Sequence, residues 1–328
     1  MSVLAVIPCL NEARHLAPLL KQMLDDTAID QLVVVDGGSS DGSRAIVAAM
    51  ADGKRLILLD NPDRIQSAGV NRAVSRFGSE HDWLLRIDAH CLYPDGYAAR
   101  LLLSAQINKA SAVVVPMVTV GKGGFQRATA AAQNSILGTG GSPHRHLLSG
   151  RFVEHGHHAL IDLDMFRSVG GYCEAMPCNE DAEFDHRQQM AGGSIWLEPA
   201  AAVTYFPRAD LGSLWKQYSR YGQGRARNMR RHGMRPKLRQ LLPLGVPLAI
   251  GLALLGPVHP IFLIPAATWV LACLLGGVAV GVKAGGGWAF AAGLAAATMQ
   301  LSWALGFIAE WLTNPADAAP RYGLNHNL

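Results

Sequence analysis

The C-terminal part of the chain constrains its fold more than any other feature, because it is almost free of charge. Between positions 241 and 312 the only charged residues are Lys283 and Glu310. Two stretches there are long enough to cross the hydrocarbon core of a bilayer as helices, and a third is shorter and is predicted to be a short span or a re-entrant segment. The predicted transmembrane region therefore covers 241–312 with two to three segments, at 241–256, 261–282 and 288–309, and precedes a tail at 313–328.

Basic residues concentrate just before this apolar region, which is typical of the cytoplasmic side of a membrane segment. The overall net charge is only +4, and no dedicated motif is present, so no nucleic-acid partner is predicted. The first residues, SVLAVIPCLNEARH, lack the basic start of a signal peptide, and the five cysteines have no framework spacing. We therefore expect a protein of the inner (cytoplasmic) membrane whose N-terminal domain faces the cytoplasm. The basic residues in question are Arg220, Arg225, Arg227, Arg230, Arg231, Arg235, Lys237 and Arg239.

Strand-like and helix-like stretches alternate through the first hundred residues. Short runs of branched apolar residues, such as QLVVVD and WLLRID, alternate with amphipathic stretches. This alternation predicts an α/β fold with a mostly parallel sheet, and strands that are apolar throughout are expected to be buried on both faces. The predicted strands are 2–10, 31–36, 55–60 and 83–88, and the predicted helices are 11–26, 39–51 and 65–77.

Polar side chains follow the carboxyl ends of these strands, the edge at which open α/β sheets bind ligands. The first turn, PCLNEAR, lacks the glycine pattern of a dinucleotide site, and the chain has no P-loop motif. Without a glycine cradle, a bound diphosphate needs a divalent cation to neutralise it. Asp88 and His90 offer a carboxylate and an imidazole for Mg²⁺ or Mn²⁺, although the same pair is also compatible with an ordinary polar turn.

Several motifs resemble those of family-2 glycosyltransferases with the GT-A fold, which is Rossmann-like. VIPCLNEARHL, VVVDGGSSDGS and RIDAH resemble the three N-terminal motifs, with Asp88-Ala89-His90 in place of the usual Asp-x-Asp. NEDAE resembles the family's acidic motif, and QYSRY at 217–221 resembles Q-x-x-R-W with Tyr for Trp. Order and spacing over about residues 2–233 are most similar to glucosyltransferases of succinoglycan biosynthesis.

The resemblance implies a role for particular residues. Pro8, Glu12 and Asp36 would line the uridine, Asp88 would face the diphosphate and ribose and bind the metal, and His90 would also bind the metal. Asp181 would be the general base. The residues expected at the acceptor or the diphosphate are His157, His158, Glu180, Gln217 and Arg220.

Two of these positions, Asp36 and Asp181, also have a purely structural explanation. Asp36 could hold the turn before GGSSDGS, and Asp181 could serve a helix start, where acidic residues are favoured. Arg86 lies inside an apolar strand and needs a partner, because an unpaired buried charge is costly. That partner could be an acidic neighbour or the nucleotide.

Histidines crowd the segment SPHRHLLSGRFVEHGHHAL. Their spacing does not match a structural zinc site, and no cysteine is close by in the sequence. We expect a loop beside the acceptor, with His155, His157 and His158 as candidate contacts. The five histidines are His144, His146, His155, His157 and His158.

The sequence thus predicts a membrane-anchored inverting glycosyltransferase that moves a hexose, with UDP-glucose the favoured donor, onto a polyprenyl-diphosphate-linked oligosaccharide. The alternatives are transfer onto a polyprenyl phosphate and a non-catalytic membrane scaffold that binds a sugar nucleotide. Other polysaccharide-assembly proteins are candidate partners. The predicted domains are a GT-A domain at 1–232, with nucleotide-binding (1–100), acceptor (101–212) and interfacial (213–232) parts, and the transmembrane region at 241–312.

Overall fold

The computed structural model describes residues 1–141, 149–176 and 178–313, without the side chains of His158 and Ala159. The described chain forms two compact units. The first holds residues 1–117 and 149–205, and the second holds 118–141 and 206–313. Of the sequence predictions, His144, His146, the side chain of His158 and the tail beyond residue 313 lie outside the described residues.

Strands and helices alternate along the first hundred residues, as the sequence predicts. The strands are β1 (Val3–Cys9), β2 (Gln31–Asp36), β3 (Leu56–Asp60), β4 (Trp83–Arg86), β5 (Cys91–Leu92), β6 (Ala112–Val115), β7 (Met117–Thr119), β8 (Arg151–Phe152), β9 (His157–Asp162), β10 (Ile195–Leu197) and β11 (Val203–Tyr205). The described helices are α1 (Ala13–Asp25), α2 (Ser43–Met50), α3 (Gln66–Phe77), α4 (Tyr97–Asn108), α5 (Gly124–Gln133), α6 (Ile136–Thr139), α7 (Leu163–Ser168), α8 (Glu180–Met190), α9 (Leu211–Arg231), α10 (Leu238–Ala253), α11 (Ile264–Lys283) and α12 (Ala292–Thr313).

A mixed sheet forms the centre of the first unit. Within the described residues it has eight strands in the order β3-β2-β1-β4-β9-β6-β10-β8. The first four strands in this order, β3, β2, β1 and β4, are parallel to one another, so their carboxyl ends lie at the same edge of the sheet. β9 lies between β4 and β6 and runs antiparallel to both. The polar residues that follow β2 and β4 therefore meet at the same edge of the sheet.

Both faces of this sheet are buried, as the continuous apolar runs predict. Alternate residues of β1 point to opposite sides because side chains alternate along a strand. One face packs against α1 and the other against α3. The first cluster includes Val3, Ala5, Ile7, Leu16 and Leu20, and the second includes Leu4, Val6, Val70 and Val74.

The second unit is helical. α9 packs along α12, and a cluster from α5, α9 and α12 forms a core around Ala132, Leu214 and Met299. By length and composition, the two helices at Pro260–Lys283 and Gly287–Thr313 are suited to cross a membrane, and α10 is shorter. These helices occupy the three stretches that the sequence predicts to be membrane segments.

Candidate active site

Asp88 lies immediately beyond the end of β4, at the shared edge of the sheet. Its Oδ2 atom is 3.3 Å from Nε2 of His157, and its Oδ1 accepts a hydrogen bond from the Gln66 amide at 3.2 Å. The Tyr93 hydroxyl accepts from the Asp88 N–H at 2.7 Å and donates to the Asp88 carbonyl at 3.1 Å. The side chain of Asp88 is 14% exposed, so a small opening leads to a carboxylate that is held from several directions.

The surroundings of Asp88 keep it ionised. Burial raises the pKa of this carboxyl, but the positive groups around it, first His157 and then Arg86 and His90, outweigh burial and leave the pKa below its usual value. An ionised, buried carboxylate beside imidazoles suits a site that binds a cation.

His90 lies near this carboxylate and contacts Glu12. Nδ1 of His90 is 3.3 Å from Oε1 of Glu12, and the His90 ring meets the edge of the Tyr205 ring at a centroid distance of 5.9 Å. His90 also contributes to the lowered pKa of Asp88. We call Glu12, Asp88, His90 and His157 the edge cluster. The sequence predicts Asp88 and His90 as a pair, whereas the imidazole in ion-pair contact with Asp88 is that of His157.

Asp36 is buried at the end of β2. Its carboxylate accepts hydrogen bonds from the backbone N–H groups of Gly38 and Ser39, at 3.0 Å and 3.1 Å, and pairs with Arg44 at 2.9 Å. Burial raises the pKa of Asp36, but the hydrogen bonds from Ser39 and Arg44 outweigh it, so the pKa lies below its usual value. The turn-holding role is therefore present in the structure, and nucleotide binding by Asp36 stays a prediction.

Pro8 and Arg44 flank the same part of the sheet edge. Pro8 pairs with Val35, one residue before Asp36. Arg44 also contacts Asp60 at 2.6 Å, so one guanidinium joins two strand-end carboxylates. Asp60, the last residue of β3, is exposed, and this ion pair ties it to the end of β2.

Arg86 pairs with an acidic side chain, one of the two partners considered from the sequence. Its guanidinium lies 3.0 Å from Oε1 of Glu180 and 3.7 Å from Oδ1 of Asp88. Burial lowers the pKa of Arg86, but the surrounding groups outweigh it and raise the pKa well above its usual value; Tyr172, Glu180, Asp88 and Asp181 all contribute. The guanidinium stays charged, and it joins the end of β4 to the start of α8.

Asp181 lies in the first turn of α8, which also contains Glu180 and Glu183. Asn179 precedes the helix with φ 60°, a left-handed conformation that non-glycine residues seldom adopt. Asp181 is among the groups that raise the pKa of Arg86, the guanidinium that contacts Asp88 and Glu180. Arg86 thus links the predicted donor carboxylate to the residue beside Asp181, and the role of Asp181 as the base stays a prediction.

His155 pairs with α8, a contact that the sequence analysis did not find. Its Nδ1 is 2.5 Å from Oδ2 of Asp185, and the other Asp185 oxygen accepts from the Gln188 amide at 2.8 Å. Asp185 follows Asp181 by four positions, so the two acids share one face of a helix. That spacing in NEDAEFD was a usable signal, but the partner of Asp185 depends on tertiary structure.

Gln217 and Arg220 lie on α9, in the second unit. The Gln217 amide donates to the Tyr221 hydroxyl at 3.1 Å, and Arg220 is exposed. Their role at the acceptor or diphosphate stays a prediction.

The edge cluster has the chemistry of a cation site but not a complete ligand set. Carboxylate oxygens and imidazole nitrogens suit Mn²⁺, and carboxylates suit Mg²⁺. Among the described residues, no group of three or more His, Cys, Asp or Glu side chains is arranged to hold an ion. Any ion here would need additional ligands from phosphate oxygens and water, as Mg²⁺ commonly does.

The sequence of the chain matches a family model and a known protein. The model described as "Glycosyl transferase family 2" matches residues 4–170. Over 315 residues the chain is 47% identical to the protein named "Succinoglycan biosynthesis protein ExoA" from Rhizobium meliloti (strain 1021), covering 95% of each chain.

The chain is also similar to solved structures of other proteins. The mannosyltransferase PcManGT from Pyrobaculum calidifontis, in complex with GDP-Man and Mn²⁺, aligns with a TM-score of 0.58 at 16% identity, over 95% of this chain and 87% of that one. S. aureus TarS aligns with a TM-score of 0.45 at 16% identity, over 71% of this chain and only 43% of that one. The first alignment supports the GT-A-like fold, and at this identity it shows the fold alone.

Proposed function

The chain belongs to glycosyl transferase family 2, and we propose that it moves a hexose, with UDP-glucose as the favoured donor, onto a polyprenyl-diphosphate-linked oligosaccharide in the synthesis of an exported polysaccharide of the succinoglycan type. The family establishes that the chain is a glycosyltransferase. The type of polysaccharide comes from the name of the relative, and the donor sugar and the acceptor come from the resemblance of the sequence motifs.

The observation that carries the proposal is the charged network that runs from Asp88 through Arg86 to Glu180, the residue next to Asp181. Asp88 would face the diphosphate of the donor, and Asp181 would face the acceptor. Arg86 connects the two regions, since it contacts Asp88 and the residue next to Asp181. A transferase that joins two substrates needs its donor and acceptor groups held at a fixed separation, because orientation alone contributes a large part of the rate.

A divalent cation fits this site. Asp88, with either His90 or His157, would hold it together with water and oxygens of the donor diphosphate. When bound, it would neutralise the diphosphate charge and ease its departure. The solved relative PcManGT contains GDP-Man and Mn²⁺, which supports a cation here without identifying the ion.

Inversion at the sugar carbon can proceed in one displacement. The acceptor hydroxyl oxygen attacks the anomeric carbon, the bond from that carbon to the diphosphate oxygen breaks, and UDP leaves with the electron pair. The proton of the acceptor hydroxyl passes to the Asp181 carboxylate. The start of α8 favours the ionised form of Asp181, because a helix N-terminus stabilises negative charge.

Membrane association supports a lipid-linked acceptor. Only 11% of the most apolar window of Pro260–Lys283 is buried inside the described fold. A contiguous apolar surface of this kind is unfavourable in water and usually marks a membrane or protein contact. We propose that this region inserts in the inner membrane and that the edge cluster faces the cytoplasm, where sugar nucleotides are made. Partner polysaccharide-assembly proteins would meet the enzyme there.

The test uses membranes that contain the full chain. They are incubated with a panel of radiolabelled sugar nucleotides, and both UDP release and label in the lipid extract are measured. Label from UDP-glucose on a lipid-linked oligosaccharide, dependent on added acceptor, is the expected result. Label on a polyprenyl phosphate would instead identify that lipid as the acceptor. Donor binding without UDP release or label would refute a catalytic role.

A further inference from the structure

Two pairs of residues, each two positions apart, show the same pattern of contacts. Arg86 precedes Asp88 by two positions, and His155 precedes His157 by two positions. The later member of each pair belongs to the edge cluster, and the two later members contact each other, with Oδ2 of Asp88 3.3 Å from Nε2 of His157.

The earlier members both contact α8. Arg86 lies 3.0 Å from Glu180, the first residue of that helix, and His155 lies 2.5 Å from Asp185, in its second turn. Asp181 lies between these two acids in the sequence, one position after the first and four before the second. α8 is therefore fixed on both sides of Asp181 by the two segments that carry the edge cluster.

We propose that Arg86, Glu180, His155 and Asp185 form an anchoring frame, whose role is to position Asp181 relative to the donor carboxylate. This inference rests on the proposed function, since it takes Asp181 as the base. The four side chains are positioning residues. They set the distance between Asp181 and the edge cluster. A displacement of the edge cluster would therefore also displace Asp181.

Three of the four members of the frame are enclosed, and the fourth, His155, is 26% exposed. The side chains of Arg86 and Glu180 are 7% and 10% exposed, and that of Asp185 is 1% exposed. Gly156, between His155 and His157, packs so tightly that a β-carbon there would be 2.4 Å from Cγ2 of Val114. The segment is therefore packed closely against β6 at this position.

The same helix offers a matched control. Glu183 is fully buried and pairs with Arg187 at 2.7 Å. Arg187 also donates to the carbonyl oxygens of Val169 and Gly171. This ion pair stabilises α8 through contacts outside the edge cluster, so its loss should lower stability without a specific effect on Asp181.

The experiment is a double-mutant cycle in full-length protein in membranes. His155→Ala and Asp185→Asn are each made in the wild-type chain and in an Asp181→Asn chain, and Glu183→Gln is the control. UDP affinity, the kcat and KM of transfer, and thermal stability are measured for each. His155→Asn, whose amide can still donate to Asp185, tests rescue.

We expect kcat to fall about 10-fold or more with His155→Ala and with Asp185→Asn, because small displacements of a reacting group cost up to about 100-fold. UDP affinity should stay within about twofold. In the Asp181→Asn chain the same changes should have no further effect on kcat, since groups that act through one another are not additive. His155→Asn should recover most of the loss.

Three results would overturn the frame. The first is that His155→Ala lowers kcat equally in the wild-type chain and in the Asp181→Asn chain, which would mean that His155 contacts the substrate itself. The second is a kcat loss no larger than that of Glu183→Gln at equal loss of stability. The third is unchanged kcat in both frame variants. Failure of the base assignment can be distinguished from these results. It would appear as near-normal turnover of the single Asp181→Asn variant, in which the frame is intact.

Discussion

At the scale of single residues, the tasks proposed for Asp181 and Asp88 differ although both side chains are carboxylates. Asp88 is enclosed by His157, Gln66 and the Tyr93 hydroxyl, which hold it in place. Asp181 begins a helix, where negative charge is stabilised. The first environment suits ligand binding, and the second suits a base that must stay ionised.

Asp181→Asn should lower the turnover number about 10²–10⁴-fold, to a residual rate that can still be measured, and should leave donor binding intact. The substitution is nearly isosteric but cannot accept a proton, and a positioned base typically contributes about 10²–10⁴-fold. The measurement is UDP-sugar affinity beside the turnover number. A loss of turnover that is wholly explained by weaker donor binding would remove Asp181 from this role.

Cation dependence should follow the edge cluster. Excess chelator should stop transfer, and His90→Ala or His157→Ala should lose most of the activity, because each removes a candidate ligand. His90→Asp should retain activity and shift the preference between Mg²⁺ and Mn²⁺, since a carboxylate replaces an imidazole. Transfer rates titrated against each metal test this, and full activity in chelator would contradict it.

Arg86 and Glu180 should depend on each other for stability. Arg86→Met leaves the buried Glu180 carboxylate without its guanidinium, which typically costs about 3–5 kcal/mol. Changing both to Met removes the orphaned charge, so the double variant should be less destabilised than the sum of the single ones. Thermal unfolding in detergent measures this. Additive losses would show that the pair is not coupled.

At the scale of whole elements, α9 and α12 pack with almost no space between their backbones. A β-carbon at Gly222 would lie 2.0 Å from the Trp303 carbonyl oxygen, and one at Gly306 would lie 2.1 Å from the Ser219 carbonyl oxygen. Backbone atoms cannot move aside cheaply. Glycine at these two positions therefore sets the separation of the two helices.

Gly222→Ala and Gly306→Ala should each destabilise the second unit by about 1–3 kcal/mol, the usual range for overpacking. Gly245→Ala on α10 is the control, because a β-carbon there would meet nothing within 4 Å. It should be neutral or slightly stabilising, since alanine is the better helix former. The midpoint of thermal unfolding is measured for the three variants and for the unchanged chain, and lower midpoints for Gly222→Ala and Gly306→Ala alone are the expected result. Equal effects at all three positions would exclude close packing as the cause.

The sequence predicts most elements of the first unit well and their pairing less well. The strands through β4 and the helices between them are correct to within a few residues, because continuous apolar runs and amphipathic helices leave a local signal. The antiparallel insertion of β9 between β4 and β6 is not predictable from HHALID alone, since pairing depends on distant residues. The same limit hid the contact between His155 and Asp185 and left the partner of Arg86 open.

At the scale of the whole molecule, the compact units do not follow the boundary predicted near residue 232. Residues 118–141 group with the C-terminal helices, and so do 206–232. The reason is apolar burial: Ala132 and Leu214 share a cluster with residues of α12. That boundary remains a prediction about which fragment folds on its own.

A chain that ends after residue 232 should bind UDP but should need detergent. The edge cluster and Asp36 lie in the first unit and are retained. Removing α12 uncovers Leu214 and Met229, which are buried in the full chain. UDP affinity with and without detergent, beside transfer to a lipid acceptor, tests this. A folded fragment without UDP affinity would show that the nucleotide binds elsewhere.

The division of the second unit between two distant parts of the sequence has a consequence for the order of folding during synthesis. All strands of the eight-stranded sheet lie within residues 3–197, so the sheet can close before α10 leaves the ribosome. α5 and α6 are made early, but α12, against which they pack, ends at Thr313. Their apolar faces must wait for nearly the last part of the chain. During that interval the nascent chain would contain a folded sheet while the apolar faces of α5 and α6 were still uncovered. Chaperones or the membrane would have to shield those faces from water.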